Sequence, residues 1–220
     1  MNLLNGILFV LFAVAARTEK LSVHKFNGDR RIFDGKPALK SYYPYQAGIL
    51  FTPANAGTTG KKDLCGGSLI SSTRVLTAAH CAIDTISAYV VLGAINLFEY
   101  DPIQYRVTVP ASGIVCHPKY DPDTLHNDIA MIKLPSAVKF NNNISPIALA
   151  EGTDDFVGDT GITSGWGDYD KTEKTSTFLR FVNLKVITNS KCSLVFEDIN
   201  DSIICARGNG NDAGCDGDSG

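Results

Sequence analysis

The chain has 220 residues, 44% of them hydrophobic, which suits one large β unit or two small lobes and carries no sign of extended disorder. Twenty Lys and Arg stand against 23 Asp and Glu, giving a net charge of −3 with no basic run long enough to form a stripe, which argues against nucleic acid as a partner. The six Cys form an even set that suits disulfides in a secreted chain, although a count does not reveal the pairing.

Residues Met1 to Ala16 are nearly uncharged and contain the apolar run Ile7 to Val14. Small residues then precede the first charge, Arg17. This pattern predicts a secretory signal peptide over 1–16, cleaved after Ala15 or Ala16; the run is short for a membrane span. An oxidising destination makes disulfides plausible. Residues 17–31 are polar, with little periodicity, and read as a pro-segment. That segment ends in Arg30-Arg31, a dibasic pair ahead of Ile32-Phe33-Asp34-Gly35.

From Tyr45 onward, short apolar runs alternate with Gly, Pro, Asn and Asp. Strands are predicted over Gln46–Phe51, Arg74–Thr77, Ala88–Leu92, Tyr105–Val109, Ile129–Leu134 and Phe178–Val186. Turn clusters at Thr52–Gly60 and Asn141–Asn143 separate them, and Pro135–Pro146 reads as a loop between two lobes. No segment has sustained helical periodicity, so an all-β sandwich or barrel is expected.

Three stretches carry chemistry. The chain closes on Cys215-Asp216-Gly217-Asp218-Ser219-Gly220, where a Ser flanked by glycines can be presented as a nucleophile beside bare backbone N–H groups. The same composition suits an ordinary turn. Thr77-Ala78-Ala79-His80-Cys81 follows a strand pattern and offers a base. Cys65, in Cys65-Gly66-Gly67-Ser68-Leu69-Ile70, is a possible partner for Cys81; such a bridge closes a loop of about 15 residues, worth roughly 3 kcal/mol in the chain-entropy model. Asp128 opens the apolar run Ile129 to Leu134, where an unpaired carboxylate is costly. His80 Nδ1–H is a suitable partner for it.

These motifs, with Ser164-Gly165-Trp166-Gly167, stand in the order His, Asp, Ser. Together they resemble the chymotrypsin-like serine proteases, and Val90 to Leu97 is similar to arthropod chymotrypsins and brachyurins. The resemblance spans Ile32 to Gly220. It implies two six-stranded Greek-key barrels, the first over 32–135 and the second, incomplete here, over 136–220, together forming one peptidase domain. It also implies a secreted, digestive endopeptidase, made as a zymogen, with Ser219 as nucleophile, His80 as general base and Asp128 as its orienting acid. Gly217 and Ser219 N–H groups then form the oxyanion hole. Cleavage after Arg31 is implied to free the Ile32 ammonium, which pairs with Asp218. The start Ile32-Phe33-Asp34-Gly35 departs from the usual Ile-Val-Gly-Gly. Ala213, Gly214 and Asp216 are implied to shape the primary pocket. Ala213 lies six residues before Ser219 and is uncharged, so Phe, Tyr, Leu or Met is expected there rather than Lys or Arg.

Family bridges match Cys65–Cys81 and Cys192–Cys205. Relatives continue beyond the position of Gly220, and Cys215 is expected to pair there, leaving Cys116 as a free, buried thiol. His117 and His126 suit loops, and no spaced ligand set surrounds them, so neither metal nor cofactor is expected. Asn143-Ile144-Ser145 and Asn200-Asp201-Ser202 are glycosylation sequons. The implied partners are protein or peptide substrates, a trypsin-like activating protease and protein protease inhibitors, with no membrane and a monomeric enzyme. The alternative is a catalytically silent homologue that acts as a secreted binding or regulatory protein.

Overall fold

The computed structural model describes residues 35–56, 62–152, 154–167, 176–196, 198–208 and 219. The expected segments 1–16 and 17–31 lie outside them. The strands in chain order are β1 (Lys36–Pro37), β2 (Gln46–Pro53), β3 (Asp63–Ser71), β4 (Arg74–Thr77), β5 (Thr85–Leu92), β6 (Tyr105–Pro110), β7 (Ile114–Cys116), β8 (Ala130–Lys133), β9 (Thr160–Gly165), β10 (Arg180–Ile187) and β11 (Cys205–Arg207). Two single-turn helices, α1 (Ala79–Ala82) and α2 (Asn189–Cys192), each carry a disulfide cysteine.

Seven strands form one antiparallel sheet in the order β6-β5-β2-β3-β4-β8-β7. Its two end strands are consecutive in the chain, joined by a 3-10 turn over Ala111–Gly113. The sheet therefore curls until its ends meet through that turn, and β6 with β7 acts as one interrupted side of a six-sided barrel. In the second sheet, β10 is flanked by β1, β9 and β11. The regular structure of the described residues is almost entirely β.

Alternation decides what each strand buries. Ala47, Ile49 and Phe51 of β2 enter the barrel core, as do Ala88, Val90 and Leu92 of β5. Val91, on the opposite face of β5, joins Ala38, Ala94, Leu97, Trp166 and Leu179 in a second cluster that holds the two sheets together. Gly48 faces this second cluster, and a Cβ there would lie 2.3 Å from Leu97 Cδ2. The Leu97 side chain thus lies on bare backbone.

Strand β4 has the expected limits. The strands β1, β3, β7, β9 and β11 were not foreseen, because their glycines or short lengths hide the alternation. Cys116 is only half-buried, which corrects the expectation of a buried thiol. It sits on β7, opposite Ala130, at the rim of the barrel rather than in its core.

Candidate active site

Strand β4 ends at Thr77 and the chain turns directly into α1, which carries His80. The bridge Cys65–Cys81 ties this helix to β3, sixteen residues earlier in the sequence. Asp128 is supplied from the other side by a turn with unusual backbone. Leu125 and Asn127 both have positive φ, 57° and 56°. Asn tolerates that region readily, whereas Leu enters it only where the surroundings require it. The turn is held by Asn127 Nδ2–H donating to Lys119 O at 2.8 Å and Ile129 N–H donating to Asn127 O at 2.8 Å.

The result is a two-point grip on one carboxylate. His80 Nδ1 lies 2.7 Å from Asp128 Oδ2, and the His80 backbone N–H donates to Oδ1 at 2.8 Å. Asp128 is 4% exposed, so both bonds run through a site with little water. A carboxylate there accepts only, which places the neutral imidazole's proton on Nδ1 and leaves Nε2 as a lone pair. Nε2 lies 3.4 Å from Cys81 Sγ.

Ser219 is placed against β3: its carbonyl accepts from Gly66 N–H at 2.5 Å. Gly66 adjoins Cys65, whose bridge leads to Cys81 and so to His80. The structure therefore brings His80, Asp128 and the Ser219 backbone to one corner of the barrel. Arg31, Ile32, Ala213, Gly214, Asp216, Gly217 and Asp218 lie outside the described residues. Cys65, His80 and Cys81 also cluster as potential metal ligands. The two sulfurs are bonded to each other, so the thiolates a metal needs are absent from that set. Cys192–Cys205 is likewise bridged.

Sequence reasoning assigned no role to Tyr120. Burial, followed by the Asp128 charge, pushes its hydroxyl up to about 12; the same two causes raise the Cys116 thiol. Asp128 thus has protonated, neutral neighbours at physiological pH. The folded-state value of Tyr120 exceeds its ordinary value of 10.0, so the linked stability is complete below that pH and is lost as pH rises towards about 12. Tyr120→Phe is expected to flatten this alkaline loss. Urea midpoints measured across that range check it; an unchanged slope counts against the assignment.

A family model described as Trypsin matches residues 32–220. The chain belongs to the trypsin family. A chymotrypsin of Phaedon cochleariae is 35% identical to this trypsin-family chain over 192 residues, 86% of this chain and 67% of that protein. A brachyurin of Leptuca pugilator is 34% identical over 190 residues, covering 86% and 79%. The solved structure of HL collagenase superposes with a TM-score of 0.67 at 32% identity, covering 80% of this chain and 73% of that one. This trypsin-family protein is accordingly a serine endopeptidase acting on protein substrates, with the chymotrypsin-like fold. Among the described residues no helix is long and apolar enough to cross a membrane.

Proposed function

We propose that the chain is the zymogen of a secreted, digestive endopeptidase that works through Ser219, His80 and Asp128 and prefers large apolar residues. The observation that carries this reading is the grip of Asp128 on His80, which sets the tautomer a general base needs. In this protease class Ser219 Oγ attacks the scissile carbonyl while His80 Nε2 takes its proton. The oxyanion is held by the N–H groups of Gly217 and Ser219. His80 then returns the proton to the leaving amine, the C–N bond breaks, and an acyl-enzyme remains. Water, deprotonated by His80, releases the acid and regenerates Ser219.

Activation is assigned to cleavage after Arg31 by a trypsin-like protease. The new Ile32 ammonium then pairs with Asp218 next to the nucleophile, and a buried charge of this kind is tolerated only with its partner. An uncharged base at Ala213, with Gly214 leaving room and Asp216 at the rim, supports Phe, Tyr, Leu or Met as the residue bound. Protein protease inhibitors are the natural ligands of the same cleft. The silent binding homologue is not favoured, since it gives no reason for a buried carboxylate to orient a histidine in this family.

One experiment tests the reading. The full-length protein is secreted, treated with trypsin, and exposed to a serine-directed phosphonate before peptide mapping and assay on Phe- and Arg-containing peptides. Labelling at Ser219 only after cleavage behind Arg31, with faster turnover of the Phe peptide, is expected. Labelling before cleavage overturns the activation step, strict Arg preference overturns the pocket, and no labelling at all overturns the nucleophile.

A further inference from the structure

Thr77 occupies a position that alternation reserves for an apolar residue. Val75 and Thr77 are the two buried positions of β4, and Thr77 is 3% exposed. Its hydroxyl donates to Gly66 O at 2.8 Å. Gly66 N–H donates in turn to Ser219 O at 2.5 Å. In an antiparallel strand the N–H and C=O of one residue leave from the same edge. The β3–β4 register extends only from Ser68↔Leu76 to Ser71↔Arg74, so Gly66 lies beyond it. The two groups that a neighbouring strand would have satisfied are met by Thr77 and Ser219.

On its other edge Gly66 is held in the β2–β3 ladder, opposite Gly48, with Cys65 opposite Ile49 and Gly67 opposite Ala47. Cys65 before it is also fixed by the bridge to Cys81. The edge of Gly66 that faces away from β2 is met by Thr77 and Ser219. We propose that Thr77 is a positioning residue for the nucleophile: by locking the Gly66 carbonyl it fixes the Gly66 N–H, and with it the backbone of Ser219. Thr77 also stands three residues before His80, so base and nucleophile are registered against the same glycine. Small misplacements of reacting atoms cost much rate, which is why such a lock acts on turnover more than on binding. The inference rests on Ser219 being the nucleophile.

The test uses activated full-length enzyme in three forms: wild type, Thr77→Val and Thr77→Ser. Val keeps the shape and removes the hydroxyl; Ser keeps the hydroxyl. Each is titrated for folded active sites, then measured for kcat and KM on a Phe-containing peptide and for the rate of phosphonate labelling at Ser219. We expect Thr77→Val to lose about tenfold in both kcat and labelling rate, the worth of one net hydrogen bond, with KM within about twofold. Thr77→Ser should recover to within about threefold of wild type. Where Thr77→Val yields no folded protein, Thr77→Ala takes its place with the same expectation. A hydroxyl-free variant that labels as fast as wild type overturns the inference, and so does a Ser variant as impaired as Val. Absence of labelling in the wild type instead overturns the nucleophile on which the inference rests.

Discussion

Asp128→Asn is expected to lower kcat about 10⁴-fold while leaving KM within a few-fold; the magnitude is the one established for this protease class rather than one obtained from the geometry here. The geometry supplies the reason. Asp128 accepts two hydrogen bonds from His80, one from the backbone N–H and one from Nδ1–H. An asparagine has only one oxygen for those two donors. If its oxygen stays on the backbone N–H, its amide must face Nδ1, and the imidazole answers by moving its proton to Nε2. The lone pair that takes the Ser219 proton is then gone at neutral pH. The side chain is nearly isosteric, so the fold is retained and the loss appears in kcat. Steady-state kinetics on titrated enzyme, with phosphonate labelling as a parallel readout, decide it. A loss smaller than tenfold would mean that Asp128 serves the fold and not the proton transfer.

How much of this was open to reading in the residues depends on whether a signal is local. His80 and Asp128 stood out because each sits beside an apolar run, and Ser219 because glycines and acids flank it. The pairing of Asp128 with His80 was also legible, since a buried carboxylate demands a partner. Strand β4 was legible to the residue because its short apolar run stands directly ahead of the His80 motif. β3 was not, because Gly66 and Gly67 look like a turn. The reason for a glycine at 67 is tertiary: a Cβ there would lie 2.7 Å from Ile49 Cδ1 and 2.9 Å from Leu76 O. No window of sequence around Gly67 contains Ile49. The start of β8 was placed one residue early, at Ile129, because the positive-φ turn through Asn127 consumes it. Thr77 was quoted within a motif and given no task. The sign to heed was a hydroxyl at a position whose neighbours by alternation are buried.

Trp166→Ala is expected to destabilise the fold by about 3–5 kcal/mol, the range for deleting a buried large aromatic side chain. That is a large share of the roughly 5–15 kcal/mol that holds a domain folded. Trp166 is 1% exposed and clusters with Val91 of the barrel sheet and Leu179, just ahead of β10 in the second sheet. Its indole N–H donates to Ile95 O at 2.9 Å. Truncation therefore opens a cavity at the junction of the two sheets and removes one of the two donors to Ile95 O, which keeps the Leu179 N–H at 2.8 Å. Trp166→Phe separates the two effects: it fills most of the space, cannot donate, and should lose about 0.5–1.5 kcal/mol, the net worth of one hydrogen bond. Trp166 is the chain's one tryptophan, so wild-type fluorescence reports on this cluster alone. The variants need circular dichroism, with urea midpoints compared at equal slope. If Trp166→Ala and wild type share a midpoint, the second cluster is not what joins the sheets. If the fluorescence and dichroism transitions of the wild type separate, with fluorescence moving first, the junction opens before the barrel, and the corner that holds His80 and Asp128 on the barrel side outlasts it.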